Sequence, residues 1–298
     1  MTTRRKILFG VLGFYLFSLV AVVVIFGFTR QDNDEFVPQN EFKLETWIDL
    51  PGPLDFNKAV MYLIIAGILT CGTMIWIAGK MQQRPNRVQT AVEALFSLMR
   101  DNITYGNLDN AMAKKWFPFI GTIFLFIWFN NLIGYIPLPT NTEHTFELLG
   151  FDIPSFAIYA ATANLSVPLT LALIVFVSYT VEGVRAKGAG GYLKSLIPAG
   201  VTGGMAAFIF VLEFLSNFMR LISLSVRLFA NILAGHLIIL FMSGGLAVLL
   251  GLEALGIVTL PIGIALFLFE VGLVATLQAF IFATLTAIYL GGAVAEHH

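Results

Sequence analysis

An arginine stands where lipid would favour leucine. Arg227 lies in Ser223–Leu237, reading SLSVRLFANILAGHL, within the apolar run 201–250. Moving an arginine to the centre of a bilayer costs about 2.5–3.5 kcal/mol on insertion scales. A helix with no task beyond spanning the membrane would not carry it. A guanidinium cannot be deprotonated inside a protein, so it is a fixed charge and not a proton carrier. On a helix advancing about 100° per residue, Asn231 and Ser223, four residues to either side, share its face. Arg220 and Glu213, seven and fourteen residues earlier, fall within about 40° of it, and Ser216 and Asn217 join this side. His236, nine residues later, is turned about 180° away. The last apolar run adds Glu270, set among Phe267, Leu268, Phe269 and Val271, and Gln278, which can both donate and accept. Histidine and carboxylates can carry protons. A fixed cation between titratable groups on two sides is what a proton pathway with a barrier requires.

Each of these residues has a plainer reading. Arg227 could pair with a carboxylate and set helix register, and Arg220 could snorkel to the interface. Glu213 is expected to lie too far along one helix to touch Arg220. His236 could be a satisfied core histidine, and Asn130 and Asn131 hydrogen-bond glue between helices. Ala230, Ala234 and Gly235 would permit close approach by another helix.

Composition sets the class. Of 298 residues, 58% are hydrophobic and 12% charged, against roughly a quarter charged in soluble domains. Long apolar runs make this an all-α polytopic membrane protein of about six helices. The net charge of −1 leaves no electrostatic footprint for nucleic acid. The single cysteine, Cys71, can form no internal disulfide and reads as a small core residue.

The elements that must position the charges follow in order. Residues 1–57 are an extension, with a retained anchor helix over Ile7–Phe28 and an acidic, proline-interrupted loop after it. Residues 58–298 form the main membrane domain. Its spans are 58–80, 116–136 and 156–182, and 86–105 is an amphipathic helix with Val88, Val92, Leu95, Phe96, Met99 and Ile103 at helical spacing. That helix lies at the membrane surface or packs on a partner. The glycine-rich KGAGGYLKSL from Lys187 reads as a simple turn. The run 201–250 would be about 75 Å long as a helix, far beyond a ~30 Å hydrocarbon core. It is two crossings or one strongly tilted helix. Gly251–Pro261 breaks it, and 261–291 is the last span. Basic clusters at Arg4–Lys6, Lys80–Lys115 and Arg185–Lys194 place the N-terminus and, with one tilted crossing, the C-terminus in the cytoplasm. The polar tail Glu296-His297-His298 is a tail and not a metal site.

With these residues in view, SLSVRLFANILAGHL resembles the signature stretch of subunit a of F-type ATP synthases of bacterial type. LQAFIFATLTAIYLGGA from Leu277 is similar to that family's C-terminal helix, and NNLIGYIP from Asn130 and TANLSVPLTLAL from Thr162 also resemble it. The likeness runs from about Lys58 to Glu296. It implies a non-catalytic stator subunit in the cell inner membrane, with the last two long helices forming a tilted hairpin against a ring of c subunits. It also implies b subunits of the peripheral stalk and the rest of the synthase as partners, and no cofactor. Two offset half-channels would lead protons to and from ring carboxylates. By the same resemblance Arg227 faces the ring carboxylate, Asn231, His236, Glu270 and Gln278 line the intake, and Glu213 and Ser223 line the exit.

This chain departs from the family pattern in three ways. It carries His236 and Glu270 where some relatives have a glutamate and a histidine. Glu270 and Gln278 are eight residues apart, where seven is usual, so their phase differs by about 80° instead of 20°. Either a local bulge restores the register or Glu270 points elsewhere. The N-terminal extension is absent from many relatives. The rival reading is a stand-alone proton-coupled secondary transporter, which should show internal repeats; the sequence has none.

Overall fold

A computed structural model describes residues 46–48, 56–80, 86–136, 146–148, 151–153, 160–197, 201, 203–242 and 253–295. The anchor helix expected over Ile7–Phe28 and the tail Glu296–His298 lie outside them. The described chain is all-α apart from two short antiparallel ribbons. These pair β1 (Thr46–Ile48) with β2 (Phe56–Asn57), and β3 (Phe146–Leu148) with β4 (Phe151–Ile153).

Helix α1 is Lys58–Lys80, begun by the Asn57 side chain, which accepts from the Val60 N–H at 3.1 Å. Helix α2 is Arg87–Ser97, capped by Asn86, whose side chain accepts from the Gln89 N–H at 2.8 Å. The amphipathic stripe then passes into a wide π-turn, Leu98–Thr104. Met99 and Ile103 on that turn are buried in the chain's own core, so part of the expected surface stripe is spent internally. Helix α3 is Asn110–Ile133, beginning before the apolar run at Trp116 because Lys114 and Lys115 extend its first turns. Helix α4 is Ser166–Lys187 and is stopped by Gly188 at φ 74°, ψ 159°, a conformation that favours glycine. The stretch read as a simple turn then forms a short helix, α5, Ala189–Lys194. Its Tyr192 ring lies where a Cβ on Gly183 would be, so Gly183 admits the tyrosine against α4.

Helix α6 runs unbroken over Gly204–Leu240. Between its two glycines, Gly204 and Gly235, no glycine or proline interrupts it. At 1.5 Å per residue it is about 55 Å long, too long to stand upright in a ~30 Å core. Helix α7 is Glu253–Phe269 and contains Pro261, so the break expected over Gly251–Pro261 does not reach that far. Proline is tolerated inside membrane helices because neighbouring groups re-satisfy the freed carbonyl. A second π-turn, Glu270–Val274, joins α7 to α8, Ala275–Val294. Among the described residues, five helices are long and apolar enough to cross a membrane.

The chain divides into two compact units. One spans 44–232 and 273–298; the other contains 233–272. In the first, α3, α4 and α8 share a core with Ile120, Phe124, Ile127, Val175, Phe282 and Leu290 fully enclosed. Helix α8 reaches it through Ala275, Ala279, Ala283 and Ala287, all 0% exposed. A small residue every fourth position lets helix backbones approach closely. Helix α6 contributes Leu221, Leu224, Leu228 and Ile232, one buried face of an otherwise exposed helix. Helix α1 packs on α3 through Ala59, Tyr62, Ala66, Ile133 and Ala161. Cys71, expected in the core, is instead exposed on α1 and free. An apolar run does not tell which face looks inward when lipid accepts both.

The sharpest packing constraint is at Gly134. A Cβ there would collide with the Ala160 side chain and lie 3.1 Å from the Ala160 backbone nitrogen. Backbone cannot yield as a side-chain tip can. Gly134→Ala should therefore cost about 1–3 kcal/mol, measurable as a lower Tm of the detergent-solubilised protein.

Candidate functional site

The stripe singled out in the sequence lies on the side of α6 that the core does not take. Ser223 and Arg227 are exposed, and Glu213, Ser216, Asn217, Arg220 and Asn231 are half-buried. Among the described residues no ion pair reaches Arg227; the pairs are Arg100–Asp101, Lys115–Glu182 and Arg220–Glu213. The plainer reading of Arg227, a partner carboxylate in its own chain, therefore finds no support. Ala230 and Ala234 are exposed, so these small residues are not approached closely by the chain itself.

Glu213 and Arg220 do touch, contrary to expectation. Arg220 Nη2 donates to Glu213 Oε1 at 3.4 Å. Seven residues is about 10.5 Å of helix rise. Helical side chains lean toward the N-terminus, so the long arginine reaches back along the helix and closes that gap. The Arg220 guanidinium also sits over the Tyr289 ring of α8, 5.6 Å from its centroid.

Within the second unit, Glu270 opens the π-turn and its carboxylate lies against Gly235. A Cβ on Gly235 would stand 2.6 Å from Glu270 Oε2 and 3.0 Å from Oε1. The close approach anticipated at Gly235 is thus made by an acid and not by a helix backbone. His236, the next residue, is buried. The π-turn is one of the two alternatives raised by the eight-residue spacing: a wide turn holds an extra residue. Gln278, four residues beyond that turn on α8, is buried at 6% exposure.

The asparagine pair divides its labour. Asn131 Nδ2 donates to the Ala275 carbonyl at 3.2 Å, and its Oδ1 accepts from Thr162 at 3.0 Å. It joins α3, α8 and the 3-10 turn Ala161–Ala163. Beside it, Trp128 Nε1 donates to Thr276 Oγ1 at 3.0 Å. Among the described residues the Asn130 side chain bonds only within its own helix, to the Phe126 carbonyl at 2.8 Å, and bridges no second helix there.

Four further residues were not singled out from sequence. Glu182 is buried, and Lys115 donates to its Oε1 across α3 and α4. Tyr179, one turn earlier on α4, is buried against Tyr289 with ring centroids 5.9 Å apart. The signal was present: Glu182 ends an apolar span, three residues after a tyrosine and beside Gly183, but a carboxylate at a span end is easily assigned to the loop. Among the described residues no group of three or more His, Cys, Asp or Glu side chains could hold a metal.

Fold and charges together define an all-helical polytopic membrane protein that displays a permanent cation on a membrane helix, as ion-translocating machinery does. A family profile described as ATP synthase A chain matches residues 60–291. The "ATP synthase subunit a" of Myxococcus xanthus is 34% identical over 84% of this chain and 78% of its own length. Those of Rubrobacter xylanophilus and Bradyrhizobium diazoefficiens are 36% and 34% identical, over 80% and 82% of this chain and 83% and 90% of their own lengths. The chain belongs to the ATP synthase A chain family. The secondary-transporter reading is not favoured.

Asn131→Leu should remove both cross-helix hydrogen bonds and leave the buried Thr162 hydroxyl unpaired. The expected cost is about 1–3 kcal/mol, seen as a drop in Tm with little change in helix content by circular dichroism.

Proposed function

We propose that this chain is the proton-translocating stator subunit of the membrane sector of an F-type ATP synthase, without a catalytic site of its own. It works in the cell inner membrane with both termini in the cytoplasm, against a ring of c subunits and held by the b subunits of the peripheral stalk. The observation that carries the reading is Arg227. It is exposed on a helix whose neighbouring face is buried through Leu221, Leu224, Leu228 and Ile232, with no ion-pair partner among the described residues. An intramembrane charge in that position needs a partner outside the chain.

The chemistry follows from where charge is tolerated. A ring carboxylate facing lipid stays neutral, because a bare charge there is costly. Opposite Arg227 the fixed cation favours the carboxylate form, so the proton leaves. The same cation repels a proton crossing directly from one half-channel to the other. Asn231, His236, Glu270 and Gln278 conduct on the intake side, and Glu213 and Ser223 on the exit side. The π-turn supports this grouping: with one extra residue in the turn, eight residues cover about the two turns that seven usually do. The membrane potential contributes about 2.3 kcal/mol per charge per 100 mV, and the offset entries convert it into rotation.

Arg227→Ala should abolish ATP-driven proton pumping in everted vesicles, while hydrolysis by the released soluble sector continues. Pumping at the wild-type rate would overturn the reading. Gly235→Ala, by displacing the Glu270 carboxylate, and Glu270→Gln should each slow pumping severalfold in fully assembled complexes. Fluorescence quenching of a pH dye, normalised to the amount of ring recovered, measures both.

A further inference from the structure

Toward the end of α4 that carries Arg185 and Lys187, several buried polar atoms have no hydrogen-bond partner. Tyr179 Oη, Thr180 Oγ1 and Glu182 Oε2 on α4, and Trp116 Nε1 on α3, are all buried and make no hydrogen bond. Glu182 is 6% exposed and Tyr179 3%. Leaving such groups dry costs about 1–3 kcal/mol each, and native proteins ordinarily satisfy them with internal water. Tyr179 and Glu182 are three residues apart and share a helix face. From Tyr179 the contacts run on through Tyr289 to the Arg220–Glu213 pair. From Glu182 they run to Lys115, whose side chain is 49% exposed. A polar line thus joins an acid on the exposed stripe of α6 to a lysine at the surface, entirely inside one compact unit.

We infer that Glu182 is a second proton-carrying acid on the exit side, served by water held beside the Tyr179 hydroxyl on the same face of α4. The inference rests on the proton-translocating reading above. A proton passed from Glu213 to this water arrives as hydronium and protonates Glu182 at Oε2, leaving neutral water. The carboxylic acid then gives the proton to solvent at the Lys115 end and returns to the carboxylate that Lys115 holds. Only O–H bonds form and break. Lys115 on α3 faces Glu182, with Tyr179 and Arg185 one turn to either side on α4; Tyr289 on α8 packs on Tyr179 and carries the Arg220–Glu213 pair of α6 beyond it, and Tyr192 on α5 packs at Gly183. A purely structural ion pair would account for Oε1 and Lys115. It would not account for a second buried oxygen and a buried tyrosine hydroxyl left open beside it.

The test uses everted vesicles stripped of the soluble sector, in which the medium is the cytoplasmic side. Passive proton flux is driven by a potassium diffusion potential and measured across a series of medium pH values. Glu182→Gln is expected to lower flux severalfold and to flatten its dependence on medium pH. Tyr179→Phe, which keeps the ring packing and removes only the hydroxyl, should lower flux as well, and Glu182→Asp should recover most of it. Wild-type flux and an unchanged pH profile in both Glu182→Gln and Tyr179→Phe would overturn the inference. If Glu182→Gln does not assemble with the ring, Tyr179→Phe alone decides, by the same criterion. ATP-driven pumping by Arg227→Ala, measured in parallel in vesicles that keep the soluble sector, separates the two ideas. Blocked pumping there with unaltered Glu182 and Tyr179 variants removes only this inference; normal pumping there removes the reading it rests on.

Discussion

A permanent positive charge at membrane depth constrains everything around it. Water normally screens a guanidinium; hydrocarbon does not, and the interaction of two charges strengthens as the effective dielectric falls. Arg227 therefore demands an anion or water. Among the described residues no carboxylate pairs with it, and α6 is divided into two faces. Leu221, Leu224, Leu228 and Ile232 are spent on the core, and the arginine stripe is left outward. The other arginine on the stripe, Arg220, is treated differently. It is held by Glu213 and by the face of Tyr289, so its charge is already answered. Two like residues seven apart on one helix thus have unlike surroundings, because among the described residues an ion pair reaches only Arg220.

Backbone irregularity sits where chemistry is expected. The π-turn at Glu270–Val274 interrupts an otherwise long apolar helix at the one carboxylate that lies away from its ends. Wide turns of this kind in α-helices recur at functional sites. Gly235 complements it, since any side chain larger than hydrogen would occupy the place of the Glu270 carboxylate. Just beyond the turn, α3 grips the start of α8 through Asn131 and Trp128. Hydrogen bonds of this sort hold membrane helices in register where lipid supplies no hydrophobic drive for association.

The close-packed part of the molecule is built from small residues. The alanine row of α8 and Gly134 against Ala160 bring backbones together, and the gain is dispersion contact, which grows steeply as gaps close. Buried polar groups in this region are costly unless satisfied. That cost makes the open oxygens of Glu182 and Tyr179 informative, whereas an exposed pair such as Arg100–Asp101 carries little weight.

Much of this protein could be read from residue order. Apolar run lengths and the scarcity of charge determined a polytopic helical protein, since only long apolar helices satisfy their own backbone in lipid. The spacing of Glu213, Arg220, Ser223, Arg227 and Asn231 determined that they share a face, because helix periodicity is local. The eight residues between Glu270 and Gln278 signalled either a bulge or a misdirected acid. What periodicity cannot supply is the identity of the neighbour. Whether Glu213 reaches Arg220 depends on side-chain length and lean. Whether Gly235 meets a helix or a carboxylate, and whether Cys71 faces core or lipid, depend on which elements pack together. The same holds for Glu182, which looks like a loop acid in sequence and is buried only because Lys115, 67 residues earlier, is brought beside it. Contacts between segments distant in the chain carry no periodic signature, so only the folded arrangement decides them.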